Sequence, residues 1–216
     1  MRGFAFQKGK IMADFNNDYY VPRLRKMIQC ETVSKKDSFT PDEFMKLREV
    51  MRELFPLVHE RAEIRYFSDD CWMYKFTGKD TKRNIMVMSH HDVVEASGEW
   101  THPAFSGAIA DGKVWGRGTL DTKVTFNGVL SAADHLIAEG FTPENDIYFA
   151  FSGGEEINGK GASNIVDYFD HEGIEPALVV DEGGAVVEDV FPGVKAPCGL
   201  IGIAEKGMMD LKYETK

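Results

Sequence analysis

No apolar run in this chain approaches the roughly 18 residues that a membrane-crossing helix needs, so a bilayer span is not expected. The opening residues, Met1 to Lys10, carry charge but no apolar stretch, which excludes a secretory signal there. Cysteine is scarce. Cys30, Cys71 and Cys198 show no CxxC spacing, and an odd, unpatterned set points to reduced thiols in a cytoplasmic protein. Basic clusters are also missing. The chain has 25 Lys and Arg against 35 Asp and Glu, a net charge of -10, so neither nucleic acid nor an anionic membrane is expected as a partner. There is no internal repeat, no low-complexity tract and no long linker.

What remains is an ordinary globular composition, 43% hydrophobic and 28% charged over 216 residues, enough for one domain or one plus part of a second. Asn17 to Ile28 reads as a helix with Pro22 near its start. Thr40-Pro41-Asp42-Glu43 reads as a capping box opening a second helix, whose stripe is Phe44, Leu47, Met51 and Leu54 and whose stop is Pro56. Ala62–Tyr66 and Cys71–Phe76 read as a strand pair around a Ser68-Asp69-Asp70 turn. Glu95 to Gly118 reads as a long irregular loop, a kind usually kept for function. Helices are expected at Leu120–Glu139 and Ala162–Phe169, and buried strands at Ile147–Phe151 and Ala177–Val180. The alternation predicts an α/β fold, a three-layer sandwich with a largely parallel central sheet and helices on both faces.

The stretch Ile85-Met86-Val87-Met88-Ser89-His90-His91-Asp92 reads as a buried strand that ends in a His and an Asp. Residues two apart on a strand share a face, so His90 and Asp92 point one way and His91 the other. Two further strands end in acids, at Glu155-Glu156 and Asp181-Glu182, and Asp121 sits at a loop-to-helix junction. Ligands of open α/β sheets gather at the carboxyl ends of strands. Imidazole and carboxylates without thiolate suit a catalytic Zn, Mn or Co site better than a closed structural zinc site.

These residues resemble a known family. His90-x-Asp92-Val-Val, Trp115-Gly-Arg117-Gly-Thr-Leu-Asp121-Thr-Lys123, Glu155-Glu156 with Gly161-Ala162, and Asp181-Glu182-Gly-Gly are similar to the co-catalytic zinc peptidases. That family includes aminoacylase, carboxypeptidase S and succinyl-diaminopimelate desuccinylase, and the carboxypeptidase S branch is nearest. The resemblance runs from about Tyr19 to the end of the chain. It implies two divalent metal ions, with zinc first and Mn or Co as alternatives. It implies His90, Asp121, Glu156 and one of Asp181 and Glu182 as ligands, with Asp121 bridging. Glu155 would be the general base, Asp92 would orient His90, and a cis peptide would follow Asp121.

The same resemblance implies a substrate that is a small peptide or an N-acyl amino acid, cleaved at an amide bond by a metal-bridging water. Residues 1–18 would be a leader outside the fold, 19–205 an incomplete catalytic domain, and 206–216 the start of a lid and dimerisation domain through which a longer form would pair. The family pattern has Pro at the place of Glu95 and Asp at the place of Gly154, neither a ligand. It also has a late His ligand, and no His follows His171 here. On that expectation the second metal is under-coordinated and this chain is weakly active or inactive. Two other readings stay open: a metal- or peptide-binding module that does not cleave, and a two-metal phosphoesterase. His91 is expected in packing, His102 in the loop wall, and Lys123 in support of the Asp121 loop. Gly116-Arg117-Gly118 lacks the third Gly and the leading strand of a dinucleotide site.

Overall fold

The computed structural model describes residues 17–184, 186–204, 207, 209 and 211–215. The expected leader therefore lies outside the described residues except for its last two positions, which open the first helix. The chain divides after Asp181 into two compact units.

The first unit runs α1(Asn17–Ile28), α2(Pro41–Leu54), α3(Pro56–Arg61), β1(Glu63–Ser68), β2(Cys71–Phe76), β3(Asp80–His90), β4(Ala108–Ala110), β5(Lys113–Trp115), α4(Lys123–Ala138), β6(Asn145–Ser152), α5(Gly161–Glu172) and β7(Pro176–Val180). Five strands form one sheet in the order β1-β2-β6-β3-β7. The pairs β6–β3 and β3–β7 are parallel, while β1–β2 and β2–β6 are antiparallel. The parallel part is thus the half that carries His90.

Strand periodicity divides the core into two layers. Trp72, Tyr74 and Phe76 of β2, with Phe149 and Phe151 of β6, face helices α1 to α4, where Met27, Leu47, Met51, Phe126 and Leu130 meet them. Cys71, Met73, Tyr148 and Ala150 face the other way, against Ile165 and Phe169 of α5. Helices on both faces of a sheet confirm the three-layer arrangement.

Three local expectations differ from the structure. Helix α2 starts at Pro41 as expected, but Thr40 makes no side-chain cap bond. Glu43 instead accepts the Glu31 backbone N–H at 2.7 Å and pairs with Lys46, so a tertiary contact displaces the local capping box. Pro56 does not end the helical region; it opens α3 after a single break at Phe55. Strand β7 is not buried: Leu178 is 52% exposed, and Val179 and Val180 are similarly open. It lies at the edge of the sheet, and an apolar run shows a strand without showing whether it has a cover.

The long loop before α4 contains the β4–β5 hairpin. Its turn, Asp111-Gly112, has positive φ at both residues, which is the two-residue turn that matches strand twist. The second unit holds a short antiparallel pair, β8(Val186–Val187) and β9(Cys198–Gly199), and exposes Ile201 and Ile203. Among the described residues no helix is long and apolar enough to cross a membrane.

Candidate metal centre

The centre forms where β3 and β6 end side by side, since His90 registers with Ser152. Past β6 the chain turns through Gly153 and Gly154 into a short 3-10 turn, Glu155–Ile157. Gly154 has φ 78°, a left-handed conformation that glycine adopts without strain. Gly161, which opens α5, lies so close to Gly153 that a Cβ there would sit 2.7 Å from the Gly153 carbonyl oxygen. The two acids are therefore held against the strand end by tight backbone packing.

His90 is buried. Its Nδ1 lies 3.1 Å from the Asp92 carbonyl oxygen and 3.4 Å from Asp92 Oδ1. With the Nδ1 proton donated to the Asp92 carbonyl, Nε2 is left facing 2.9 Å from Asp121 Oδ1 and 3.9 Å from Glu155 Oε2. His90 Nε2, one Asp121 oxygen and one Glu156 oxygen all lie within 4.8 Å of one another. Such convergence of an imidazole and two carboxylates fits the donor set and reach of a divalent ion bound at about 2.0–2.2 Å per ligand.

Electrostatics fit as well. Burial would lower the His90 pKa, but Asp92, Asp121 and Glu155 outweigh it and raise the imidazole to about 9. Surroundings that so favour the charged imidazole also favour a cation. Glu156 is raised by partial burial and by the nearby acids, Asp121 first. That is the direction expected of carboxylates crowded for a positive charge.

Asp92 is fully buried, and its carboxylate does more than face His90. It accepts the Glu155 backbone N–H at 3.3 Å and the Glu156 backbone N–H at 3.4 Å. Burial works against its charge, yet the His90 and Ser34 contacts hold it below the usual carboxylate range. A cis peptide bond joins Asp121 to Thr122. The Asp121 side chain is 69% exposed and that of Glu155 56%, so both are open to solvent.

Asp181 follows β7, which pairs in parallel with β3, and so reaches the same end of the sheet. Its carboxylate is not among the three groups that converge. Glu182 opens the second unit.

The flanking residues separate cleanly. His91 is buried between Phe44, Trp72 and Phe126, stacked on Trp72 at 4.3 Å, and burial drives its pKa down to about 3. It is a packing residue. His102 packs edge-on against Trp115 in the loop wall. Lys123, fully buried, donates from Nζ to the Met27 and Cys30 carbonyl oxygens, tying the end of α1 to the start of α4. Thr32, Val33 and Ser34 were not singled out from the sequence. They run alongside residues 91–93, through a parallel Val33–Val93 bridge and a 2.6 Å bond from Thr32 Oγ1 to the His91 carbonyl. Next to this segment opens a recess of about 550 Å³, walled by Lys35, Lys36, Val94, Glu95 and Ile157.

An α/β sheet with His and carboxylates converging at its parallel strand ends defines a candidate metallohydrolase. Residues 86–215 match the model of peptidase family M20/M25/M40, and the chain belongs to that family. It is 38% identical to a probable carboxypeptidase S-like protein of Dictyostelium discoideum over 89% of this chain and 39% of that one. It is 34% identical to an N-fatty-acyl-amino acid synthase/hydrolase of Homo sapiens, again over 89% of this chain and 39% of the relative. The chain thus spans about two fifths of these relatives. In fold it resembles human carnosine dipeptidase 1, with a TM-score of 0.65 at 19% identity over 80% of this chain and 40% of that one. It also resembles an M20 family metallo-carboxypeptidase from Sulfolobus solfataricus, with a TM-score of 0.63 at 18% identity over 79% and 38%.

Proposed function

We propose that this chain carries the metal site of a hydrolase that cleaves an amide bond in a dipeptide, at a peptide C-terminus or in an N-acyl amino acid. The observation that carries the reading is the convergence of His90 Nε2 with Asp121 and Glu156 carboxylate oxygens, beside a solvent-open Glu155. Relatives named as carboxypeptidase-like and as N-fatty-acyl-amino acid hydrolase support the bond type and the substrate class. The residues would hold two divalent ions, zinc first and manganese or cobalt as alternatives. His90 would serve one ion, Glu156 the other, and Asp121 both, because a carboxylate has an oxygen for each. One of Asp181 and Glu182 would complete the first set.

Bound divalent ions lower the pKa of a coordinated water from about 15.7 toward 7 and polarise an amide carbonyl. The chain's own residues do the rest. Glu155 takes a proton from the attacking water at a carboxylate oxygen. It then delivers that proton to the departing amine nitrogen as the carbon–nitrogen bond breaks, so the carboxylate is regenerated. Asp92 holds the Glu155 and Glu156 backbones and the His90 ring in place throughout. The recess beside Ile157 gives a substrate side chain room next to the acids.

A second reading, a module that binds metal or peptide without cleaving, draws on one observation: the Asp181 carboxylate lies outside the convergence. A single panel separates the two. The protein is supplied with zinc, manganese or cobalt and offered dipeptides, N-acyl amino acids and a phosphoester. Amide turnover is expected, falling about 10²- to 10⁴-fold in Glu155→Gln while metal uptake is kept. Metal uptake without turnover supports the binding module. Phosphoester turnover without amide turnover would falsify the amidohydrolase reading.

A further inference from the structure

We infer that Ser34 is a positioning residue of the metal centre: its hydroxyl holds the Gly154 N–H beside the Glu155 and Glu156 N–H groups that Asp92 holds, and so helps fix where Glu155 and Glu156 point. This rests on the metallohydrolase reading above.

The argument begins with the backbone. Segment 32–34 is laced to the end of β3 by Val93 N–H to Thr32 O at 3.0 Å and Ser34 N–H to Val93 O at 3.1 Å. This places the Ser34 side chain over the acid turn, 120 residues further along the chain. There, Ser34 Oγ accepts the Gly154 backbone N–H at 3.2 Å. A serine hydroxyl is both acceptor and donor. Its oxygen is taken up by the Gly154 N–H, next to the two N–H groups that the Asp92 carboxylate accepts.

Ser34 and Asp92 therefore take up three consecutive backbone N–H groups, those of Gly154, Glu155 and Glu156. These are the donors that a helical turn leaves unpaired at its start. Gly154, at φ 78°, carries no side chain of its own to support the turn. The Gly154 carbonyl is taken up within the turn, by the Gly159 N–H at 2.6 Å, while its N–H is taken up from outside, by Ser34. Ser34 also lines the recess next to the acids, so a ligand lodged there would press on the same residue that sets their aim.

The test uses the 216-residue chain with cobalt as the probe. Wild type, Ser34→Ala and Ser34→Thr are compared by cobalt titration read in the visible absorption of the bound ion, and by hydrogen exchange of the Gly154–Glu156 amides in metal-free protein. The expected result is that Ser34→Ala weakens cobalt affinity roughly 10-fold, within the range seen when a group supporting a ligand is removed. Its absorption band should shift and its Gly154 amide should exchange faster, with core amides unchanged. Ser34→Thr, which keeps the hydroxyl, should restore both. Wild-type cobalt affinity and unchanged Gly154 exchange in Ser34→Ala would overturn the inference alone. So would a loss of protection throughout the core that threonine does not rescue, since that marks a general packing role. If the wild-type chain takes up no cobalt, the metal reading falls and the positioning role falls with it.

Discussion

Two strand ends face the same side of the sheet and are built very differently. At the centre, β3 and β6 lie between helices, His90 and Asp92 are buried, and the Asp92 carboxylate bonds the backbone of the acids it supports. At the edge, among the described residues β7 pairs on one side only, with β3; its Leu178, Val179 and Val180 are about half exposed, and Asp181 after it is exposed too. Both ends have the same sequence signature, an apolar run followed by acids. The difference shows that a ligand is positioned by what surrounds its strand, and that a shared motif does not give two ends equal rigidity.

The largest expected effect separates their cores. Phe151, fully buried in β6 and packed on Phe126 at 4.5 Å, should cost about 3–5 kcal/mol on change to Ala, read by urea unfolding. A cost below about 1 kcal/mol would mean the centre is no better packed than the edge. Next comes metal affinity. Asp121→Asn should weaken zinc or cobalt binding at least about 100-fold by calorimetry, and Asp181→Asn far less, because only Asp121 lies in the convergent set. Equal losses would show that the edge acid holds metal as firmly as the central one.

Lys123→Met keeps the aliphatic stem but removes the two bonds to the Met27 and Cys30 carbonyls. It should cost roughly 2–3 kcal/mol: two hydrogen bonds from a charged donor are lost, offset in part by relief of an ammonium whose burial lowers its pKa to about 8. An unchanged unfolding midpoint would rule out a tie between α1 and α4 through this side chain.

The centre should also be more acid-sensitive than the edge. His91 in the fold has a pKa near 3, below its ordinary 6.5, because burial among aromatic rings disfavours the imidazolium. On acidification the unfolded chain therefore takes up the proton first. The stability His91 contributes is complete above about pH 6.5 and is lost as pH falls toward 3, at up to about 1.4 kcal/mol per pH unit. His59, also lowered by burial, adds the same sign. In chelator-treated protein, His91→Phe should flatten the fall in stability between about pH 6.5 and 4; an identical slope would show that other groups govern it.

How much of this was legible depends on distance along the chain. Period-two alternation in Cys71–Phe76 and the apolar stripe of α2 gave strand and helix correctly, because both are local. The same alternation separated His90 from His91. It could not show that Asp92 reaches Glu155 and Glu156, more than 60 residues on, or that Ser34 meets Gly154 across 120. Such contacts follow from the register of β3 with β6, which no short window contains. Glu43 shows the converse: a local capping signal gave way to Glu31 and Lys46 once α1 and α2 packed. The Asp111-Gly112 hairpin is missed by the sequence reading: Glu95 to Gly118 reads as one irregular loop, although an Asp-Gly pair is itself a hairpin signal. Burial of β7 was not readable, since Ala177–Val180 is apolar whether or not anything lies against it.

The smallest expected effect sharpens the comparison from the edge side. Leu178→Ser places a hydroxyl where the side chain is already half in water, so little apolar area returns to solvent. The cost should stay below about 1 kcal/mol by urea unfolding, covering the lost partial burial and the weaker strand preference of serine. Zinc uptake should be unaltered, because His90 and its supports reach the site through β3 and β6. A cost above about 2 kcal/mol would mean that β7 is covered in solution and belongs to the centre after all. In that case Asp181 would be as firmly placed as Asp121, and the gap expected between Asp121→Asn and Asp181→Asn should close with it.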